Sequence, residues 1–307
     1  MAKNVKRVLI YRLGSLGDHI VALPCLHLVA RMFPSAGRRM LSNVPVSAKA
    51  PAAAAILTGS GLVDGYFRYT VGMRNPFSIL RLWAQLLLWR PDVLVYLTAA
   101  RGVEVARRDR LFFQLCGIRR RNQIGVPDTA DLQSNRLQLD GWTYEAEAAR
   151  LARNLSPLGD AHLESPESWN LHLTEVERRR ALDALAPAGD APFIAVSLGT
   201  KRQCNDWGAE RWRALLVRLG AMLPGYALLL NGAPDEREIS EAAADGWREG
   251  NAGPVLNVCG VLSPRESATA LARAAVYIGH DSGPMHLAAA VQTPIVAIFS
   301  ARVRSIG

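Results

Sequence analysis

Two successive series of short apolar runs, separated by amphipathic stretches, constrain this chain more than any other feature. Strands buried on both faces read as continuous apolar runs, so this alternation predicts parallel sheets flanked by helices. In the first series the pattern predicts strands at 7–11, 39–43, 64–69, 92–98 and 121–125. Helices are predicted at 18–32, 47–57, 76–89, 104–116 and 145–155, with 126–141 irregular. In the second series strands are predicted at 193–197, 226–231, 255–257, 275–279 and 294–299. Its helices fall at 174–185, 208–222, 234–246, 263–272 and 283–291.

Between the two series the composition shifts. SPLGDAHLESPESWNLHLT is rich in Pro, Ser, Gly and Asp, which places an interdomain linker at roughly 156–172. The expected architecture is α/β, with two Rossmann-like domains, residues 1–170 and 171–307, facing each other across a cleft. Ligands of such sheets bind at the carboxyl ends of the strands.

Composition narrows the function classes. No apolar run reaches the length of a membrane span, and the basic-then-apolar N-terminus lacks a cleavage site, so it reads as the first strand of a cytoplasmic protein. The four cysteines (Cys25, Cys116, Cys204 and Cys259) form no CxxC pair or Cys/His cluster, which argues against a zinc site and a disulfide framework. A net charge of +9, with arginines at 107, 108, 110 and 119–121, favours anionic partners such as nucleotides, phosphorylated glycans or an anionic membrane face. No nucleic-acid motif accompanies that charge.

Four loops carry residues suited to chemistry. The stretch 274–299, AAVYIGHDSGPMHLAAAVQTPIVAIF, reads as strand, polar turn, small-residue helix, strand. Its turn holds Asp281, Ser282, Gly283 and Pro284, with His286 one step into the helix. Ser282 suits the N-cap and Pro284 the first helical turn. The early N–H groups, from Gly283 and from Met285 onward, can then bind the diphosphate of a nucleotide at the positive helix end. An ordinary capped helix explains the same residues.

The first loop, RLGSLGDHIVALP at 12–24, carries Gly14 and Gly17 between strand and helix, allowing close backbone approach. It is neither GxGxxG nor a P-loop. Asp18 either caps the helix or serves as a general base. A helix N-terminus would lower its pKa and burial would raise it. His19 is the second candidate base. In SLGTKRQCNDWGAERW, residues 197–212, Gly199, Thr200 and Lys201 are candidate phosphate contacts, with Trp207 and Trp212 packing the helix on the sheet. In NGAPDERE, residues 231–238, the acids suit a helix start, and Asp235 or Glu236 could instead meet ribose hydroxyls.

Together these loops resemble glycosyltransferase family 9, the bacterial heptosyltransferase family. The likeness is most specific in GHDSGPMHLAAAVQTPIVAIF, which matches the family's Asp-[Ser/Thr]-Gly-x-x-His turn, and next in RLGSLGDHIVALP. The resemblance implies a GT-B fold and inverting, metal-independent transfer from a nucleotide-diphospho-sugar, ADP-heptose or similar, to a lipopolysaccharide-core or other glycolipid acceptor. It implies that the N-terminal domain holds the acceptor, with Asp18 as catalytic base, and the C-terminal domain the donor, with Asp281, Ser282, Gly283 and His286 at its phosphates. It also implies work at the inner face of the cytoplasmic membrane, with no cofactor. Two features depart from the pattern. The family's third loop reads Lys-x-Trp, whereas Asn205 stands two residues before Trp207. The chain stops at Gly307, where members continue, so a truncated C-terminal domain is expected. A sugar-nucleotide epimerase and an inactive sugar-nucleotide-binding remnant are the alternative readings.

Overall fold

Val8, Leu9 and Ile10 have no solvent exposure, because the first apolar run lies at the centre of a sheet covered on both faces. The structure, a computed structural model, describes residues 5–44, 52–70, 75–200, 205–250 and 253–299. The chain divides into two compact units, Met1–His172 and Leu173–Gly307.

The first unit contains β1 (Arg7–Tyr11), α1 (Leu16–Val21), α2 (Leu23–Met32), β2 (Gly37–Asn43), α3 (Ala54–Leu57) and β3 (Gly65–Tyr69). It continues through α4 (Pro76–Trp89), β4 (Val93–Tyr96), α5 (Val103–Leu115), β5 (Gln123–Ile124), α6 (Ala130–Gln133) and α7 (Glu147–Asn154). Its sheet is all parallel, in the order β3-β2-β1-β4-β5, with Leu9 beside Arg39 and Leu94.

The second unit contains α8 (Glu175–Leu185), β6 (Phe193–Ser197), α9 (Ala209–Met222), β7 (Ala227–Leu230) and α10 (Arg237–Gly250). After these come β8 (Val255–Asn257), α11 (Pro264–Leu271), β9 (Val276–His280), α12 (Gly283–Ala290) and β10 (Ile295–Ile298). Its sheet is also all parallel, in the order β10-β9-β6-β7-β8, with Ser197 beside Gly279. Buried Trp212 and Trp247, on α9 and α10, fill the core against one face of that sheet. The expected α/β class, with two Rossmann-like parallel sheets, is present.

In each sheet the first strand of the unit has neighbours on both sides that arrive from opposite crossovers. The loops after β1 and β4, and after β6 and β9, therefore diverge at a topological switch point, where parallel sheets bind ligands.

Three expectations need correction. The helix expected at 18–32 is two helices, broken at Ala22, because Pro24 has no N–H to give the Ile20 carbonyl. Of the helix expected at 47–57 only Ala54–Leu57 is helical among the described residues, and 45–51 lie outside them. The segment 126–141 is not wholly irregular, since α6 lies within it.

Residues 156–172 are no free linker. They run over α2 in short 3-10 turns, with Leu158, Ala161 and Leu171 buried. His27 Nε2 lies 2.8 Å from the Asn170 carbonyl, and Arg31 donates to the Asp160 carbonyl at 2.7 Å. The His172 ring, with Nδ1 2.7 Å from the Ser60 carbonyl, stands edge-on to His27 at 5.0 Å. Pro and Gly deny this segment regular structure without denying it burial, so composition alone misreads it. The C-terminal residues 300–307, on which the truncation expectation falls, lie outside the described residues.

Candidate functional site

In the first unit the β1–α1 connection turns on Gly14, at φ +134°. A Cβ there would stand 2.4 Å from Asp18 Cγ, so the missing side chain lets the Asp18 carboxylate lie across the turn. The Gly14 amide donates to Asn43 Oδ1 at 2.7 Å, fixing the turn to the end of β2. Gly17, expected between strand and helix to allow close backbone approach, lies buried inside α1.

Asp18 is the third residue of α1, and its Oδ2 accepts the Ser15 amide at 2.6 Å and the Ser15 hydroxyl at 3.0 Å. Oδ1 stands 3.9 Å from the Arg12 guanidinium, and the side chain is 42% exposed. Burial pushes its pKa up. The Ser15 N–H, the Arg12 charge and the Ser15 hydroxyl together outweigh that and hold the carboxyl below its usual range. The capping role is therefore present, and the same carboxylate is ionised and reachable.

Arg12, which sequence reasoning passed over, is buried and donates to the backbone carbonyls of Leu97 and Asp18. It ties the ends of β1 and β4 to α1. Its only sequence signal is a cation directly behind an apolar strand. His19 is no candidate base. It is fully buried, with Nδ1 2.7 Å from the Ser15 carbonyl and Nε2 3.3 Å from Ser42 Oγ, and burial beside the Arg12 charge lowers its pKa to about 4.

In the second unit the carboxyl ends of β6, β7 and β9 gather most of the remaining candidates. Ser282 takes the N-cap position of α12 in extended conformation, but its hydroxyl makes no cap hydrogen bond. Ser282 Oγ and the neighbouring Tyr277 hydroxyl are buried without a hydrogen bond of normal geometry. The Ser282 side chain thus leaves the early helix N–H groups uncovered. Asp281 is exposed at this turn, and its Oδ1 lies 3.9 Å from His286 Nε2.

Gly199 and Thr200 follow β6 at the same edge. A Cβ on Gly199 would meet Glu236 Oε1 at 1.7 Å, and one on Gly232 would meet Oε2 at 2.3 Å. The Glu236 carboxylate thus rests on two glycine α-carbons at the ends of β6 and β7, and its Oε2 accepts the Ala233 amide at 2.9 Å. Asp235, one residue earlier, is exposed. Lys201 lies outside the described residues.

His280, at the end of β9, was missed in the sequence. It is 1% exposed, its Nε2 accepts the Trp207 amide at 3.1 Å, and its ring stands edge-on to Trp212 at 5.3 Å. A polar residue closing a buried strand, directly before Asp281, was its signal. Among the described residues no three His, Cys, Asp or Glu side chains converge as metal ligands, and no helix is long and apolar enough to cross a membrane. Cys25, Cys116 and Cys259 are buried free thiols.

The model of the family described as glycosyltransferase family 9 (heptosyltransferase) matches residues 145–304. Lipopolysaccharide heptosyltransferase 3 of Escherichia coli is 31% identical over 139 residues, 44% of this chain and 37% of that protein, so the match spans well under two thirds of the relative's length. The fold is similar to that of a family 9 glycosyl transferase from Veillonella parvula, with TM-score 0.71 and 16% identity, over 99% of this chain and 84% of that one. It is also similar to an E. coli heptosyltransferase solved with ADP, with TM-score 0.60 and 20% identity, over 95% of this chain and 86% of that one.

Proposed function

The chain belongs to glycosyltransferase family 9, and on that premise we propose that it moves a sugar, heptose or a close relative, from a nucleotide-diphospho-sugar to a lipopolysaccharide-core or other envelope glycan. The observation that carries the proposal is the Asp281–His286 turn. It sits at the switch point of the second sheet, with helix N–H groups that its own serine leaves uncovered. An anion-ready helix end of this kind suits the diphosphate of ADP-heptose or a similar donor.

In this reading the Gly283 and Met285 amides, with Gly199, Thr200 and Lys201, hold the donor diphosphate. Glu236, already seated between the ends of β6 and β7, is better placed than Asp235 to take ribose hydroxyls. In the first unit Asp18 accepts the proton of the acceptor hydroxyl as that oxygen attacks the anomeric carbon. The bond from that carbon to the diphosphate breaks and the configuration inverts. The charge on the departing diphosphate is met by amides and basic side chains rather than by a metal ion. A lipid-borne acceptor puts the protein in the cytoplasm at the inner membrane face, where anionic lipid meets its net charge of +9.

The test is nucleoside diphosphate release from a panel of nucleotide sugars, with and without a bacterial glycolipid acceptor. Acceptor-dependent release that Asp18→Ala abolishes is expected. Full activity in Asp18→Ala would remove the base assignment, and nucleotide binding without turnover on any donor would remove the transfer itself.

A further inference from the structure

Helix α4 is apolar on the side where a surface helix is ordinarily polar. Leu82 and Leu86 point into the core, and Trp83 Nε1 donates to the Leu115 carbonyl at 2.9 Å. At about 100° per residue, Phe77, Leu80, Ala84, Leu87 and Leu88 then fall on the opposite side. Of these, Phe77 is 81% exposed, Leu80 57% and Leu88 79%. Leu111 and Leu115 of α5 are exposed as well, at 56% and 63%. A contiguous exposed apolar surface of this kind marks an interaction site.

Along α4 and its flanks the charge has one sign. Among the described residues between Asp64 and Asp92 the chain carries Arg68, Arg81 and Arg90 and no acid. The two bounding acids are engaged elsewhere, Asp64 with the Arg38 amide at 2.6 Å and Asp92 with the Lys6 and Arg7 amides at 2.8 and 3.0 Å. Between β3 and α4 lies an open cavity of about 780 Å³ that Arg39, Arg68 and Arg81 line together with Gln85, Leu88 and Trp89. The Arg39 guanidinium stacks on Phe67 and Trp89, at 5.6 and 5.3 Å from the ring centroids, which holds its charge in place at the groove.

We propose that α4 lies in the plane of an anionic phospholipid bilayer, its apolar face among the upper acyl carbons and the groove between β3 and α4 holding a lipid headgroup phosphate. A helix that is apolar on one side with arginines at its margin is the form an interfacial element takes, with the guanidinium groups reaching back to the headgroups. Charge selects the occupant. A second copy would bring two arginine-flanked α4 helices together with no acid on either, whereas an anionic leaflet complements every charge on α4. The proposal names the surface behind the membrane-borne acceptor reading and rests on it only for the choice of leaflet.

The test is sedimentation of the full chain with vesicles of phosphatidylcholine, alone or mixed with phosphatidylglycerol. Binding is expected to the mixed vesicles only. Leu80→Glu with Leu88→Glu should reduce it by at least about tenfold, and Arg68→Gln and Arg81→Gln by about fivefold each. Melting temperature should hold in all variants, since these side chains lie on the surface. Equal binding by wild type and variants would overturn the proposal. So would a dimer, formed without vesicles, that Leu80→Glu with Leu88→Glu dissolves. Wild-type vesicle binding without sugar transfer on any donor would overturn the transferase reading and leave the docking face standing. Transfer to a lipid-free acceptor without vesicle binding would do the reverse.

Discussion

The Trp207 amide donates to His280 Nε2 at 3.1 Å, which fastens the loop ahead of α9 to the carboxyl end of β9. The ring's proton is thereby placed on Nδ1. One imidazole anchors the third loop and directly precedes the Asp281–His286 turn. His280→Leu leaves the Trp207 N–H unpaired in a half-buried position, which should destabilise the protein by about 1–3 kcal/mol. Because the anchor belongs to the second unit alone, KM for the nucleotide sugar should rise and KM for the acceptor stay level. Steady-state kinetics with each substrate varied would show it, and equal rises in both would contradict it.

The Asp18 carboxyl is held below its usual range, so the unliganded protein carries it ionised throughout the neutral region. The acidic limb of kcat/KM, which reports the free enzyme, should therefore lie at or below the ordinary aspartate value of about 3.9. An acceptor seated over Asp18 removes water from it, so the acidic limb of kcat should lie higher. A pH–rate profile that places both limbs together would argue against substrate burial of this group. The stability that the lowered pKa contributes is present above the ordinary aspartate value and disappears as the pH falls through Asp18's folded-state value.

His19 should make the first unit acid-sensitive. Its folded-state pKa of about 4 lies below the 6.5 of a free histidine, so below pH 6.5 the unfolded chain takes up a proton that the folded chain refuses. Stability contributed by neutral His19 is complete above pH 6.5, falls as the pH drops toward about 4, and levels off below. The loss is on the order of 3 kcal/mol. His19→Gln should flatten that part of a melting temperature–pH curve, even if it lowers the curve throughout.

At the α12 turn the expected effect is on binding alone. Gly283→Leu puts a side chain where the anion approaches, and it should weaken ADP binding about tenfold or more, a loss of at least about 1.4 kcal/mol by titration calorimetry. Gly199→Ala acts differently, because its Cβ would displace the Glu236 carboxylate. It should weaken nucleoside binding more than binding of inorganic diphosphate. Unchanged ADP affinity in Gly283→Leu would count against the turn as the phosphate site.

Much of the fold was legible because parallel strands are buried on both faces. The run at 193–197 is β6 to the residue, and 76–89 is α4 to the residue, since Asn75 and Pro76 mark its start. Pro24 was equally visible, yet the apolar spacing runs straight through it and conceals the break between α1 and α2. The Asp281–His286 turn could be read because cap, proline and small residues are local signals. Arg12 and His280 left only weak local signals, and Glu236 was named beside Asp235 without its inward seat, because each acts through a residue distant in sequence: Leu97, Trp207 and Gly199.

Residues 156–172 lie along α2 as part of the first unit's own surface, and that decides where the chain can be divided. A first unit ending at residue 155 would lose the carbonyls that His27 and Arg31 meet and uncover the bed on which Leu158 and Leu171 rest. A chimaera that exchanges second units between members of this family would therefore have to be spliced after His172. A cut where the composition first changes, ahead of Ser156, would fall 17 residues too early, whereas the boundary expected after residue 170 falls two residues short of the one the fold sets.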